Sequence, residues 1–191
     1  MRPGGSKQKG AAFERQVCKQ LSLWVSNGAR GDLFWRSAMS GGRATVAAKQ
    51  GTKLAAQAGD ISVVSGDPRA SWLIDNYYVE CKHLQQVSLR SLIHCTKTGL
   101  GEIWDTAVTE AVRYNKTAVL IAKQNHYDTY LMVTAGWRRA AFIDPRVPLR
   151  ARFFVQKMDV FLFNDVLALP MPDPPVDIDN PRPRSRERLN Q

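Results

Sequence analysis

The chain has 191 residues, of which 44% are hydrophobic and 23% charged, and its formal net charge is +10. This composition suits one domain with a sizeable core, plus tails, and excludes a disordered polymer. From Pro170 onward four acids balance four arginines, so the positive excess belongs to residues 1–169. Such an excess favours a polyanionic partner, and nucleic acid ahead of a membrane, although a merely basic soluble protein would have the same charge.

The cysteines and the hydropathy pattern indicate the compartment. Cys18, Cys81 and Cys95 are odd in number and show no CxxC spacing, which argues against a disulfide framework and a zinc site. No stretch reaches membrane-spanning length, and the N-terminus lacks the apolar segment of a secretory signal. We therefore expect a soluble cytoplasmic protein without membrane contact.

The chain predicts three regions: a flexible basic arm over residues 1–9, a folded domain over 10–169, and a Pro- and Arg-rich disordered tail over 170–191. The predicted elements of the domain are, in chain order, a helix over 10–26, strands over 33–36, 61–64 and 72–82, a helix over 102–115, strands over 117–122, 129–134 and 153–155, and a helix over 159–169. A turn is expected at Gly66-Asp67-Pro68, and a short helix or irregular segment over 88–95. The leading order αβββαββ predicts a mixed α/β domain with one central sheet.

Periodicity supports the two longer helices. The first has apolar residues at helical spacing, and the second is expected to bury five of its residues. The inward positions are Phe13, Val17, Leu21, Trp24 and Val25 in the first helix and Trp104, Ala107, Val108, Ala111 and Val112 in the second. The residues between these helices carry the polar features described next.

Residues 37–58 form a long run of small and polar residues between two predicted strands. Loops of this length in a compact domain are usually functional or disordered. Three cations in this run, Arg43, Lys49 and Lys53, are candidate DNA contacts.

Two carboxylates and an ammonium are expected to meet near the middle of the sheet. Side chains alternate faces along a strand, so Glu80 and Lys82 project to one side while Cys81 points away. If the strand that follows Asp60 lies alongside, Asp60 and Glu80 can hold a hard cation such as Mg²⁺, and the backbone carbonyl of Cys81 can add a ligand. Lys82 would then orient the attacking water or stabilise developing charge during phosphodiester cleavage. Each fragment alone also fits a turn aspartate or a solvated strand face.

Glu14 falls on the edge of the core-facing stripe of the first helix. A carboxylate there is costly unless it is paired or bound to a metal ion. The alternative is a glutamate tilted to solvent in the first turn, where the helix dipole favours it.

The order Phe13-Glu14-Arg15, Gly59-Asp60-Ile61 and Glu80-Cys81-Lys82 resembles the PD-(D/E)xK nuclease superfamily, and within it the archaeal-type and phage Holliday-junction resolvases. The resemblance covers residues 7–134 and implies a restriction-endonuclease-like α/β fold, a mixed central sheet flanked by helices with an αβββαβ core. It also implies that Glu14 completes the metal site with Asp60 and Glu80, and that these three and Lys82 are catalytic. The DNA contacts that it implies are Arg15, Arg36, Ser37 and Ser40. A glycine, Gly59, replaces the family's proline before the aspartate.

The expected function is a Mg²⁺-dependent endonuclease, with Mn²⁺ as a substitute, that acts as a homodimer on opposed strands of four-way DNA junctions. No small-molecule cofactor is expected. The alternatives are a restriction-like or repair nuclease acting on duplex ends or flaps, and a non-catalytic DNA-binding module with the same fold.

Overall fold

The computed structural model describes residues 5–37, 58–64, 66–85, 99–135 and 140–175. The helices are α1 (Gly5–Val25), α2 (Pro68–Asn76), α3 (Leu100–Arg113) and α4 (Phe163–Leu167), and the strands are β1 (Phe34–Arg36), β2 (Ile61–Val63), β3 (Tyr77–Leu84), β4 (Thr117–Gln124), β5 (Thr129–Thr134), β6 (Ala151–Phe153) and β7 (Met158–Leu162). The predicted segment at 88–95, the loop residues Ser40, Arg43, Lys49 and Lys53, and residues 1–4 and 176–191 of the predicted tails lie outside this range. None of the described helices is long and apolar enough to cross a membrane.

Five strands form a mixed sheet in the order β3-β4-β5-β7-β6. Strands β3 and β4 are parallel, whereas the β4–β5, β5–β7 and β6–β7 pairs are antiparallel. Helix α3 provides the crossover between the two parallel strands, as a parallel pair requires. Strand β3 therefore lies at one edge of this sheet.

Each face of the sheet is covered by a separate core. Val17 and Leu21 of α1 share one buried cluster with Val79 and Cys81 of β3. Leu100 and Trp104 of α3 share the other with Tyr78 and residues of β4, β5 and β7. A central mixed sheet with helices on both faces confirms the predicted restriction-endonuclease-like α/β fold.

Strands β1 and β2 form an antiparallel ribbon beside β3. The ribbon is joined to that strand at Asp60, whose N–H donates to the carbonyl of Val79 at 2.9 Å. Gly59 makes this approach possible: its φ is +89°, and a Cβ atom there would lie 2.7 Å from the Val79 carbonyl oxygen. Only glycine combines this dihedral with the close contact, which explains its presence at a position where proline was expected.

The predicted strand over residues 72–82 is wrong in its first half. Asp67 caps helix α2 by accepting from the N–H groups of Arg69 and Ala70, and Pro68 lies in the first helical turn. The run Gly66-Asp67-Pro68 is therefore a helix start rather than a turn. Ala70, Leu73 and Ile74 are buried at helical spacing. The consecutive apolar residues 72–74 suggested a strand instead, because a short apolar run does not distinguish the two structures.

The C-terminal prediction is also wrong. Residues 158–162 form strand β7, and only Phe163–Leu167 are helical. The strand is buried on both faces, so apart from Asp159 its residues are all apolar, and such a run cannot be told from a buried helix by periodicity. The preceding strand comprises residues 151–153 rather than 153–155, because the chain turns through Lys157 at φ +48°.

The two longer helices lie where they were predicted, but the first residue of α1 and one buried position of α3 differ from the prediction. Helix α1 buries all five predicted residues but begins at Gly5, so residues 5–9 are helical rather than part of a flexible arm. Residues 7–9 are Lys, Gln and Lys, which are good helix formers. The helix continues through Gly10, where an added Cβ atom would have no other atom within 4 Å. In α3, Val112 is 70% exposed, not inward, because the core-facing stripe is narrower than predicted.

Candidate active site

Asp60 lies just before β2 with its carboxylate directed at the edge of β3 that faces away from β4. Its Oδ2 accepts from the Cys81 N–H at 2.9 Å, and the residue is 8% exposed. Burial first, and then the nearby carboxylates of Glu80 and Glu14, raise its pKa to about 7 against the lowering effects of the Cys81 N–H and Lys82. A carboxyl group in this position gains from any positive charge placed beside it.

Glu80 and Lys82 project from β3 to the side covered by α3, whereas Cys81 belongs to the opposite core. The predicted alternation along the strand is therefore confirmed. Lys82 Nζ lies 2.5 Å from Glu80 Oε1. Burial by itself would lower the pKa of Lys82, but the Glu80 carboxylate and, more weakly, Asp60 outweigh it and raise that pKa. Lys82 is thus a charged ammonium paired with the Glu80 carboxylate.

Glu14 enters the site from α1, on the other side of the β3 edge. It is 9% exposed, so the solvent-tilted alternative is wrong. Its Oε2 accepts from Arg36 Nε, and this ion pair joins α1 to β1. Glu14 and Asp60 are both close enough to Cys18 to raise its pKa, after the larger effect of burial. The carboxylates of Glu14 and Asp60 therefore lie in the same neighbourhood.

The backbone of Cys81 adds an oxygen at this edge. In a β-strand the N–H and C=O of one residue leave on the same side, so the Cys81 carbonyl faces the edge where its N–H meets Asp60. Within the described part of the chain, no three His, Cys, Asp or Glu side chains are grouped as a complete metal-binding cluster. The candidate ligands are instead the carboxylates of Asp60 and Glu80 and the backbone carbonyl of Cys81, while the Glu14 carboxylate forms an ion pair with Arg36.

A cavity of about 260 Å³ opens between β3 and α3 beside this edge. Tyr78, Glu80 and Lys82 form its strand side. Glu102, Ile103, Thr106, Ala107 and Glu110 of α3 line the opposite wall. Glu80 and Lys82 thus line a cleft that is open to solvent, and both side chains are partly buried.

The described residues predicted to contact DNA have different surroundings. Arg15 is exposed on α1. The Arg36 side chain is 37% exposed although it pairs with Glu14. Ser37 is 1% exposed and its N–H donates to the Asp60 carbonyl at 2.8 Å. This burial does not agree with a direct DNA contact, and Ser37 instead ties β1 to the segment that carries Asp60.

One residue of the site was missing from the sequence-based set. The Tyr78 hydroxyl donates to Glu80 Oε2 at 3.4 Å. Burial raises its pKa, and the charges of Glu80, Asp60 and Glu110 act in the same direction, so it stays protonated. The signal was present, because the alternation that places Glu80 and Lys82 on one face places Tyr78 there too.

The mixed sheet, together with the order of an acid on α1, an aspartate before β2 and Glu80-Cys81-Lys82 on β3, is that of a PD-(D/E)xK nuclease. A family model described as phage putative PDDEXK endonuclease matches residues 5–157, and the chain belongs to this family. No curated protein matches the chain significantly, and neither does any solved structure. The family supports the expectation of a nuclease.

Proposed function

We propose that this protein is a Mg²⁺-dependent DNA endonuclease that nicks opposed strands of four-way junctions, with Mn²⁺ able to replace Mg²⁺. The observation that carries the proposal is that the Asp60 carboxylate binds the backbone N–H of Cys81, the residue between Glu80 and Lys82, and that these two pair with each other at 2.5 Å. Membership in a family of phage PDDEXK endonucleases supports the nuclease part. The junction preference rests on the resemblance of the three motifs to resolvases.

The donor set suits a hard divalent cation. Mg²⁺ prefers carboxylate and carbonyl oxygens, and the site offers Asp60, Glu80 and the Cys81 carbonyl, with Glu14 nearby. The buried Asp60 carboxyl, whose pKa is raised by burial and by the neighbouring Glu80 charge, would be relieved by a cation that replaces the proton it otherwise tends to keep. When bound, the ion would supply charge neutralisation at the phosphodiester and a water of lowered pKa.

Lys82 is the candidate catalytic cation. Its ammonium is fixed by Glu80 at 2.5 Å and is charged at neutral pH. From this position it orients the attacking water by hydrogen bonding, or stabilises the negative charge that develops on the phosphate oxygens. Preorganised donors of this kind are most effective where water is partly excluded, as in the cleft beside α3.

Arg36 and Arg15 are the proposed DNA contacts within the described residues. Both lie on the elements that border the site, and the Arg36 side chain, which is partly exposed, can bind a backbone phosphate. Ser40, Arg43, Lys49 and Lys53 stay predictions from the sequence. A homodimer would place two such sites on the two opposed strands of a junction.

The test compares cleavage of a four-way junction, a flap and a plain duplex at equal concentration, with and without Mg²⁺. We expect symmetric nicking of the junction only when the metal is present. Asp60→Asn should abolish nicking while junction binding survives, and Asp105→Asn, which alters an exposed carboxylate on α3, should cut normally. Preferential cutting of flaps or duplex would instead indicate a repair or restriction-like nuclease. Tight DNA binding without cleavage in Mg²⁺ or Mn²⁺ would indicate a non-catalytic module.

A further inference from the structure

Both carboxylate oxygens of Glu80 are contacted by side chains of its own strand. Lys82 Nζ lies 2.5 Å from Oε1, and the Tyr78 hydroxyl donates to Oε2 at 3.4 Å. The three residues are spaced at i, i+2 and i+4, so they line the same face of β3. Glu80 is therefore held from both sides along the strand.

Tyr78 is fixed by its own packing. It is 9% exposed and belongs to the core beneath α3. Its ring stacks on that of Tyr114, with centroids 6.3 Å apart and an interplanar angle of 15°. A ring held in this way keeps its hydroxyl at one place, since only two side-chain torsions separate it from the backbone.

We propose that Tyr78 is a positioning residue that orients Glu80 for metal binding, an inference that rests on the proposed function. Hydrogen bonds to the ligands of a metal ion restrict their orientation, and loss of such a partner typically weakens metal binding by about 10–100-fold. The contact of 3.4 Å is longer than the usual 2.7–2.8 Å between hydroxyl and acceptor. Hydrogen bonds at active sites are often long in the ligand-free protein and shorten on binding.

The neighbouring tyrosine provides a matched control. Tyr77 is also buried, but its side chain lies in the opposite core, where the hydroxyl accepts from the Ala141 N–H at 3.1 Å. Tyr77→Phe and Tyr78→Phe remove the same atom from adjacent residues of one strand. Both lose a partly buried hydrogen bond, but only one of these bonds involves Glu80.

The measurement is calorimetric titration of the full chain with Mn²⁺ in the absence of DNA, together with thermal melting. We expect Tyr78→Phe to raise the Kd for Mn²⁺ about tenfold. Tyr77→Phe should leave that Kd unchanged, whatever its effect on the melting temperature. Equal Kd values for wild type and Tyr78→Phe, or an equal loss in both variants, would overturn the role of Tyr78.

A double variant tests whether Tyr78 acts through Glu80. In a Glu80→Gln background, where Asp60 still offers a carboxylate, Tyr78→Phe should cause no further change in the Kd for Mn²⁺. A further tenfold loss in that background would show that Tyr78 acts by another route. If the wild-type protein binds no Mn²⁺ and cuts no substrate, the proposed function fails, and this inference with it. If the wild-type protein binds and cuts but the phenylalanine variant is unchanged, only this inference fails.

Discussion

Arg36 on β1 and Glu14 on α1 form an ion pair across the edge of the candidate site, with Nε donating to Oε2. The carboxylate is nearly buried, whereas the arginine side chain is 37% exposed. Each of these residues has a second proposed partner: a metal ion for Glu14 and a DNA phosphate for Arg36. The pair would therefore couple the proposed metal site to the proposed DNA contact, because a metal ion at Glu14 or a phosphate at Arg36 competes with the ion pair.

Arg36→Gln should bind Mn²⁺ more tightly than the wild type in the absence of DNA. A charge-assisted hydrogen bond is worth about 1.5–3 kcal/mol, and solvent screening of the half-exposed arginine reduces this, so we expect a three- to tenfold lower Kd, roughly. The same variant should bind a four-way junction more weakly. Calorimetry with Mn²⁺ and electrophoretic shifts with DNA measure the two effects.

Arg15→Gln is the control for this competition. Arg15 is exposed on the same helix as Glu14, and a DNA contact is proposed for it too. Its loss should weaken DNA binding and leave the Kd for Mn²⁺ unchanged. An Arg36→Gln variant with wild-type affinity for Mn²⁺ would show that Glu14 is not a metal ligand.

Lys82→Met should slow cleavage without preventing assembly of the metal site. Removal of one preorganised donor to developing charge costs about 10²–10³ in rate, and we expect a loss of this size in single-turnover cleavage. Affinity for Mn²⁺ should be kept or increased, because Glu80 loses a competing cation. Lys123→Met is the matched control: Lys123 lies on β4 directly opposite His83 of β3, and because side chains alternate along β3 it is on the face away from Lys82. Similar rates for Lys82→Met and the wild type would remove Lys82 from the mechanism.

Gly59→Ala should destabilise the protein more than Gly28→Ala does. Both glycines have a positive φ, of +89° and +86°, which costs an L-residue about 1–2 kcal/mol. A Cβ at Gly28 meets nothing within 4 Å, whereas at Gly59 it meets the Val79 carbonyl oxygen at 2.7 Å. Overpacking of this kind adds about 1–3 kcal/mol.

Urea unfolding followed by tryptophan fluorescence measures this difference in the free energy of unfolding. Gly59→Pro, which introduces the proline of the related nucleases, should be at least as damaging because proline cannot adopt a positive φ. A stable Gly59→Pro variant would contradict the close approach of this segment to β3.

The buried cysteines should not react in the folded protein. Cys18 and Cys81 are free and buried, and burial, followed by the charges of Glu14 and Asp60, raises the pKa of Cys18 to about 12. At pH 8 its thiolate is therefore roughly a thousandfold rarer than that of an ordinary thiol. In a Cys95→Ser variant, an aromatic disulfide reagent should label two thiols in denaturant and none without it. Rapid labelling of the folded variant would contradict the packing of α1 on β3.

Local patterns predicted the parts of the site that lie within one element. The helical spacing of α1 placed Glu14 at the edge of the core, and the alternation of β3 put Glu80 and Lys82 on one face with Cys81 on the other. The same reasoning was wrong at α2 and β7. At α2, the cap at Asp67 starts a helix where the apolar residues suggested a strand. At β7, burial on both faces removes the alternation of a strand, and the segment was predicted as a helix.

The sequence by itself determined the composition of this protein's candidate site: which acids and which lysine it has, and which side of each element they occupy. These properties follow from periods of 2 and 3.6 residues, which a side chain obeys whatever surrounds it. Only the tertiary structure decided which of these groups meet. The approach of Asp60 to Cys81, the pairing of Arg36 with Glu14 and the passage of Gly59 against Val79 all join residues that are distant along the chain. Their positions depend on how the β1–β2 ribbon and α1 pack against β3, and no local periodicity encodes that packing.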